Sequence, residues 1–227
     1  MWYQKIENAP PIVKACIKSI IINSGKHPVY ILDQNNFSKY ISLPSFIMEK
    51  FNRGIFSITH FSDILRMGLL AKYGGYWIDS TYLITSPLIT VNSSLFTLKL
   101  KHCFPSITKC LWAGNFLAVS KNSFIATYAY KSFLKYWKKY NSLINYFLID
   151  YIIYIAYQNV HEFRNLISNL PLIKCNIFTL CRSLNKNFNK AMVSCPFNKL
   201  SKKVNGTKFN NSIKTVYGYI IDKYKLN

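Results

Sequence analysis

The stretch AKYGGYWIDSTYLI, residues 71–84, constrains the fold more than any other part of the chain. Gly74-Gly75 ends a predicted helix, and Tyr76-Trp77-Ile78 follows as a short strand that stops at Asp79. An unpaired carboxylate inside an apolar strand is costly. We therefore expect Asp79 at a strand end that opens onto a cleft, where it meets a cation or a ligand.

Helices and strands alternate over residues 1–90. Helices are predicted between Pro10 and Ser24 and over residues 44–52 and 62–73, and strands over residues 29–32 and 76–78. Ser62 is expected to cap the third helix, with Asp63 in its first turn. This alternation predicts an α/β fold with a mostly parallel sheet flanked by helices, in which ligands bind beyond the carboxyl ends of the strands.

Residues 91–227 show a less regular and more helical pattern. A strand is predicted over residues 111–119 and helices over residues 123–140 and 142–157, and from Leu184 the chain becomes a polar tail rich in Asn and Lys with an apolar segment at 216–221. No Pro, Gly or Ser-rich linker divides the chain. We expect one domain over residues 1–227. Residues 1–90 would form its ligand-binding half, and residues 91–227 would form a second half, with a basic tail, that faces the second substrate (the acceptor side).

The charge is strongly positive, with 29 Lys and Arg against 8 Asp and Glu, a formal net charge of +21. Such a balance suits anionic partners: nucleotide phosphates, nucleic acid or an acidic membrane surface. Lysines that only solvate the surface explain it equally well, so the charge alone identifies no partner.

The cysteines and the apolar segments bear on location. The six cysteines include no CxxC pair, and no His stands at a zinc-ligand spacing beside them, which favours a reduced cytoplasmic protein. The amino terminus has no apolar signal segment. The most apolar run, residues 143–157, is too short to cross a bilayer and contains Asp150. Any attachment to the inner face of the cell membrane is expected to be peripheral.

Asp63 and Arg66 stand three residues apart on the third predicted helix and share one of its faces. The opposite face is apolar and is expected to pack on the sheet; it carries Ile64, Leu65, Leu69 and Leu70. A helix end, an arginine and a carboxylate next to Asp79 suit a phosphorylated polar ligand. Two plainer interpretations stay open: Asp63 and Arg66 form an ordinary ion pair, and Asp79-Ser80-Thr81 forms an ordinary turn.

The run SDILRMGLLAKYGGYWIDST, residues 62–81, resembles the hallmark of the capsular polysaccharide synthesis proteins. That group is similar to the DXD-type glycosyltransferases of the mannosyltransferase (glycosyltransferase family 32) and large clostridial toxin type. Further segments resemble the family: APPIVKACIKS, VYILD, LWAGNFLAVSKNS, NSLINYFLIDY and FNKLSKKV. The resemblance implies a GT-A fold, which is Rossmann-like, and a transferase that passes a sugar from a nucleotide sugar to a growing glycan with retention of configuration.

The resemblance also implies roles for particular residues. Asp63 would bind sugar hydroxyls, Arg66 would contact the sugar or the diphosphate, and Asp79 would face the ribose and the metal. Lys199 and Lys203 would close over the diphosphate. The remaining substrate-binding positions that the resemblance implies are Trp2, Tyr73, Ser80 and Thr81.

Three departures from the family pattern affect these expectations. Thr81 stands where a DXD motif has its second acid, so the implied divalent cation, Mn or Mg, loses a carboxylate ligand. Asn145 replaces a common Asp, which leaves Asp150 as the acid of that region, either as an acceptor-side base or as a satisfied core acid. The chain begins almost inside the family's first strand, so we expect either that this strand is lost, which would leave a truncated and inactive transferase, or that the start of the chain is misplaced.

A basic nucleic-acid-binding module is the alternative from another class, because lysines and aromatics interleave in YKSFLKYWKKY. Its apolar residues fall at helical spacing, however, which is typical of a core-facing stripe with lysines outside: Tyr130, Phe133, Leu134 and Trp137. We therefore expect no stable nucleic-acid partner. The expected partners are a nucleotide-sugar donor, a glycan or lipid-linked glycan acceptor, and an anionic membrane surface.

Overall fold

The computed structural model describes residues 1–88, 94–101 and 106–225 of the chain. They form two compact units, each assembled from segments that are far apart in sequence. Unit 1 consists of Met1–Gln34, Asp79–Thr90 and Lys174–Asn227, and unit 2 consists of Asn35–Ile78 and Val91–Ile173.

Both units contain helices and strands, which confirms the predicted mixed α/β composition. In the described residues the α-helices are α1 (Pro11–Asn23), α2 (Ser45–Asn52), α3 (Ile58–Tyr73), α4 (Phe124–Lys139), α5 (Leu148–Asn159), α6 (His161–Ser168) and α7 (Val216–Lys223). The strands there are β1 (Gly75–Ile78), β2 (Tyr82–Ile84), β3 (Leu95–Thr97), β4 (Lys99–Leu100), β5 (Phe116–Val119), β6 (Leu172–Ile173), β7 (Phe197–Lys199), β8 (Phe209–Asn210) and β9 (Ile213–Lys214). For its length, the second half of the described chain is no more helical than the first, contrary to expectation.

The strands do not form the predicted mostly parallel sheet. In unit 2 they pair antiparallel in the order β1-β5-β3, and in unit 1 β2 pairs antiparallel with β7. Among the described residues the one parallel pair is β4 with β6. A parallel pair needs a long crossover connection, usually a helix. Between β3 and β5 there is no described α-helix, so β5 can return antiparallel to β3. The described residues therefore form small mixed sheets rather than the expected Rossmann-like sheet.

Helix α3 carries two candidate residues and begins earlier than predicted. Its start is Ile58 rather than Ser62, because the Ser57 hydroxyl caps the helix by accepting a hydrogen bond from the His60 N–H. Asp63 therefore lies in the second turn and not at the positive end of the helix dipole. The helix ends as predicted at Gly74, whose φ of 70° is accessible to glycine at little cost.

The segment 29–32, predicted as a strand, has no regular secondary structure. Its end is tied to the amino terminus by two backbone hydrogen bonds: the Trp2 N–H donates to the Leu32 carbonyl at 2.8 Å, and the Gln34 N–H donates to the Tyr3 carbonyl at 3.0 Å. Tyr30 in its middle is 63% exposed. The strand prediction failed because an apolar run alone does not provide a ladder of partners.

Unit 1 has its own apolar core, in which α1, α7 and β2 take part. Residues after Leu184, predicted as a polar basic tail, contribute to it rather than projecting from it. The buried members are Ala9, Ile12, Val13, Ala15, Cys16, Ile17, Leu83, Leu180, Leu184, Leu200, Val216, Ile220 and Tyr224.

Unit 2 packs α3 against α4 and α4 against α5. Phe133 and Trp137 on α4 are fully buried, whereas Lys131, Lys135 and Lys138 are exposed. The aromatic stripe is thus part of the core, as the helical spacing predicts, and these two rings are not available to stack on bases. Helix α5 starts at Leu148, later than predicted, because the Asn145 side chain accepts a hydrogen bond from the Phe147 N–H and holds a turn there.

The structure corrects one expectation about the cysteines. Cys175 and Cys195 form a disulfide in unit 1, where the sequence predicts reduced thiols, while Cys16 and Cys181 remain free. Spacing motifs detect metal sites but not two cysteines brought together by the fold. Cys103 lies outside the described residues.

None of the helices in the described ranges combines the length and apolar character needed to cross a bilayer.

Candidate functional site

The Arg66 cluster of unit 2 consists of Asp63, Arg66, Trp77, Gly114 and Asp150. The Arg66 side chain is buried, and one arm of its guanidinium, Nη2, lies 3.0 Å from Asp63 Oδ1. The other arm, Nη1, donates to the Gly114 carbonyl, and the guanidinium lies 5.3 Å from the centre of the Trp77 ring. A planar group held on three sides has a fixed orientation, which Lys could not reproduce.

The local sequence explains why Asp63, Arg66 and Trp77 meet. The apolar face of α3 is buried, as predicted, and Asp63 and Arg66 occupy the same side one turn apart. The turn at Gly74 then returns the chain as β1. A Cβ at Gly74 would lie 2.5 Å from the Lys121 nitrogen, so a larger residue would disturb this turn.

Asp150 lies in the first turn of α5 and accepts a hydrogen bond at 3.0 Å from Trp112 Nε1. Burial raises the pKa of Asp150, while the Trp112 hydrogen bond and the positive charge of Arg66 lower it. A Cβ at position 114 would lie 3.1 Å from Asp150 Oδ1, so a larger residue there would press on the carboxylate. Asp150 is thus a half-buried acid near Arg66, and its acceptor-side role stays a prediction.

The Trp112 and Gly114 contacts were missed by the sequence analysis. Both lie in the segment LWAGNFLAVS, which resembles the family but was assigned no functional residue. The Trp-Ala-Gly sequence just before a buried strand is a signal that could have indicated them, since glycine permits close approach of backbone to a neighbour.

His60 lies near Asp63 in the interior of unit 2, and its Nδ1 is buried without a hydrogen-bond partner in the described structure. Trp137 Nε1 donates to His60 Nε2 at 2.8 Å, so the ring proton of the neutral imidazole is on Nδ1, which lies 4.0 Å from Asp63 Oδ2. Burial lowers the pKa of His60 to about 4. His60 is therefore neutral at pH 7 and was not predicted as part of the site.

The Lys199 cluster of unit 1 consists of Asp79, Thr81, Tyr82 and Lys199. Lys199 Nζ lies 3.0 Å from Asp79 Oδ2, donates to Thr81 Oγ1 at 2.7 Å, and lies 5.0 Å from the centre of the Tyr82 ring. The β2–β7 pairing places Lys199 opposite Tyr82, and the Tyr82 N–H donates to the Asp79 carbonyl at 3.0 Å to close the Asp79-Ser80-Thr81 turn. The Asp79 and Lys199 side chains are 28% and 18% exposed, so a ligand can reach both.

The Lys199 cluster does not match a divalent-metal site built by the protein alone. It offers one carboxylate, and the Asp79 and Thr81 oxygens that would ligate Mn or Mg both contact the Lys199 ammonium. Across the described ranges, no group of three His, Cys, Asp or Glu side chains is arranged to hold a metal. The implied cation remains a prediction.

The other predicted binding residues are dispersed within their units. The Tyr73 hydroxyl donates to the Tyr40 carbonyl at 2.7 Å in unit 2, and Lys203 is exposed in unit 1. Trp2 in unit 1 is half-buried, lies beneath the Lys202 ammonium at 5.8 Å, and its indole N–H is buried without a hydrogen-bond partner in the described structure. A ligand oxygen would satisfy that donor. The assigned roles of these residues and of Ser80 stay predictions.

The structure thus brings together Asp63, Arg66 and Asp150 in unit 2, and Asp79, Thr81 and Lys199 in unit 1. Each group combines a carboxylate with a cation. The prediction that Asp63 and Arg66 bind a phosphorylated ligand together with Asp79 stays a prediction.

Comparison with known protein families gives one match. The sequence profile of the capsular polysaccharide synthesis proteins matches residues 1–220. Comparison with curated proteins and with solved structures found no significant match. Because the profile covers nearly all of the 227 residues, the chain belongs to the capsular polysaccharide synthesis protein family.

Proposed function

We propose that the protein is a glycosyltransferase that takes a sugar from a nucleoside-diphosphate sugar and transfers it to a growing capsular polysaccharide or another surface glycan. Membership of the capsular polysaccharide synthesis family supports a role in capsule formation. The observation that carries the proposal is the ammonium of Lys199, held between Asp79 and Thr81 at the position that resembles the DXD motif.

The Lys199 cluster has the charges that nucleotide-sugar chemistry needs. A departing nucleoside diphosphate gains negative charge, which a fixed ammonium stabilises. Lys199 is held by Asp79 and Thr81 before the ligand arrives, so little reorganisation is required. In the proposal, Asp79 also accepts hydrogen bonds from the ribose, and Lys203 closes over the diphosphate.

In this proposal the Arg66 cluster keeps the role that the family resemblance implies for Asp63 and Arg66. Arg66 donates to sugar or diphosphate oxygens, and its orientation is set by Asp63, Gly114 and Trp77. Asp63 is only 7% exposed, so it acts here chiefly as a positioning residue for Arg66, with direct contact to a sugar hydroxyl as its second assigned role. Asp150 serves on the acceptor side.

The proposed reaction is a front-face displacement with retention. The bond between the anomeric carbon and the diphosphate oxygen breaks, and a bond from the acceptor hydroxyl oxygen to the same carbon forms. The hydroxyl proton passes to the leaving diphosphate. The residues of this chain orient the donor and stabilise the developing charge, and no step is assigned to a metal ion.

A panel of UDP- and GDP-sugars tests the proposal. Binding is measured by calorimetry, and slow hydrolysis by release of UDP or GDP, each with Mn or Mg and with EDTA. We expect at least one sugar nucleotide to bind and to be hydrolysed slowly. A folded sample that binds none of them, in any metal condition, contradicts the proposal.

Two variants test whether activity depends on the Lys199 cluster. Asp79→Asn is expected to abolish turnover without unfolding the protein. The matched control is Asp222→Asn, because the Asp222 carboxylate also pairs with lysines in unit 1, at 3.0 Å from Lys208 and 2.9 Å from Lys214, but outside the Lys199 cluster. Equal activity of the two variants counts against a role for Asp79.

Tight, steeply salt-dependent binding to single-stranded nucleic acid without sugar-nucleotide binding would instead favour the nucleic-acid alternative.

A further inference from the structure

A group of exposed apolar and aromatic side chains lies on the outer side of α5 and on the loop before it, in unit 2. Ile144 is 77% exposed and Phe147 is 53% exposed, although apolar side chains of this size are usually buried. The other exposed members are Tyr140, Tyr146, Tyr151 and Ile155. We call these six residues the α5 outer surface.

The arrangement of these residues follows from the helix. Phe147, Tyr151 and Ile155 are spaced four residues apart, so they form one stripe along the helix. The other side of α5 is buried in unit 2 by Leu148, Ile149, Ile152, Ile153 and Ala156. Packing of unit 2 therefore does not require the exposed stripe.

Hydrogen bonds join the loop before α5 to the last turn of α4. The Tyr136 hydroxyl donates to the Ser142 carbonyl at 2.7 Å and accepts from the Ile144 N–H at 2.9 Å. The Tyr140 ring lies 4.9 Å from the Tyr136 ring. The loop is thus held in place, and the apolar surface extends to the last turn of α4.

Positive charge borders the surface. Lys135, Lys138 and Lys139 near the end of α4 are exposed, and the Lys139 ammonium lies 5.3 Å from the Tyr140 ring. Between residues 124 and 161 the sequence contains no acid except Asp150, whose carboxylate accepts the Trp112 hydrogen bond. The six surface residues and the three lysines of α4 thus include no acid, and the next acid along the chain is Glu162 in α6.

We propose that the α5 outer surface docks onto an anionic lipid bilayer. Aromatic and aliphatic side chains enter the headgroup region, and the adjacent lysines bind acidic headgroups, the combination on which interfacial attachment depends. A second copy of the chain is disfavoured, because symmetric pairing would bring the lysine borders of two proteins of charge +21 together. The docking does not depend on the proposed reaction, so each can be tested without the other.

Vesicle flotation of the full chain tests the docking. We expect flotation with vesicles of phosphatidylcholine mixed with phosphatidylglycerol, weaker flotation with phosphatidylcholine alone, and a decrease as salt is raised. The Phe147→Ser/Tyr151→Ser variant is expected to lower the partition coefficient about tenfold or more, from the lost apolar burial. The Lys138→Gln/Lys139→Gln variant is expected to lower it roughly fivefold per lysine on acidic vesicles only.

Phe209→Ser/Ile213→Ser is the matched control, since both of its residues are exposed and apolar but lie on the β8–β9 hairpin of unit 1. It is expected to float like the unmodified protein, and circular dichroism checks that every variant is folded. The inference is overturned if the unmodified protein stays unbound on acidic vesicles, or if the α5 and hairpin variants lose binding equally. A concentration-dependent dimer that only the α5 variant abolishes, without lipid binding, would assign the surface to a second copy instead.

Discussion

The Asp63 carboxylate meets the Arg66 guanidinium at 3.0 Å one turn along α3, and both side chains are buried. Burying two charges costs free energy that their attraction offsets only when the remaining hydrogen bonds are made. Arg66 makes one of these with the Gly114 carbonyl. The pair is thus a charged unit of the core of unit 2, and removing one member leaves the other charge without its counterion.

Asp63→Ala is expected to lower the free energy of unfolding by roughly 3–5 kcal/mol, because it leaves the Arg66 charge buried without its carboxylate. Urea unfolding followed by circular dichroism measures the change. Replacing both members, as Asp63→Leu/Arg66→Met, is expected to recover much of the loss, since apolar residues of similar volume can substitute for a buried pair.

Activity separates the structural role of this pair from its proposed role in the reaction. The double variant is expected to be stable and inactive. Arg164→Lys is the control variant. Arg164 is another partly buried arginine of unit 2, but it donates to the Tyr157 carbonyl and lies outside the Arg66 cluster, so activity is expected to be retained. A stable double variant with full activity would show that the pair serves folding alone.

The sequence predicted the Asp63 and Arg66 relationship well because it depends only on helical spacing. It did not predict Gly114, Trp112 or His60 as neighbours. The first two contacts are set by where β5 and α5 pack, and the third follows from α3 starting at Ile58 rather than Ser62. Spacing along one helix predicts on which side of the helix a residue lies, but not which residues of other elements pack against that side.

Asp79→Asn is expected to change the free energy of unfolding by less than about 1 kcal/mol, because the Asp79–Lys199 pair is partly exposed and solvent weakens its attraction. The same variant is expected to bind UDP or GDP more weakly, because the ribose hydroxyls then donate to a neutral amide oxygen instead of a carboxylate. Urea unfolding and calorimetry are compared on one sample. A change in stability as large as that for Asp63→Ala would favour the plain structural turn over a ligand site.

Binding of UDP or GDP is expected to persist in EDTA, because the Lys199 ammonium already contacts the two oxygens that a divalent ion would use. Lys199→Ala is expected to weaken this binding about tenfold, the loss of one charge-assisted contact. Lys214→Ala is the control, as a lysine of unit 1 paired to Asp222. If binding requires Mn or Mg and Lys199→Ala leaves the affinity unchanged, the result would support the expected metal site instead.

The Lys199 cluster shows a second limit of sequence reasoning. Thr81 in place of the second acid was a reason to expect a weak metal site, and the basic motif near residue 199 was assigned to the diphosphate. That Lys199 lies between Asp79 and Thr81 depends on antiparallel pairing of β2 with β7, which lie more than a hundred residues apart. Strand pairing at that separation is not encoded in a local pattern, and the predicted parallel sheet was wrong for the same reason.

Stability is expected to fall as the pH drops from about 6.5 to about 4, with His60 as a contributor. Burial lowers the pKa of His60 to about 4 in the folded protein, while the unfolded chain takes up the proton near its ordinary value of 6.5. Protonation therefore favours the unfolded state across this window, by on the order of 3 kcal/mol at its lower end. His60→Gln keeps an acceptor for Trp137 Nε1 and is expected to flatten this part of the pH curve. The difference between the two curves isolates His60 from the carboxylates, and parallel curves would show that His60 does not contribute.

The Cys175–Cys195 disulfide is expected to stabilise unit 1, because it links two positions 20 residues apart and so restricts the unfolded chain. Cys195 lies two residues before β7, and β7 carries Lys199, so the crosslink also fixes the approach of the chain to the Lys199 cluster. The Cys175→Ser/Cys195→Ser variant is expected to lose about 3 kcal/mol in the free energy of unfolding and to bind UDP or GDP more weakly. Cys181→Ser removes a free thiol from the same unit and is expected to leave both measurements unchanged. If the two variants unfold at the same urea concentration, the crosslink does not stabilise the folded protein, and the reduced state expected from the sequence becomes the better description.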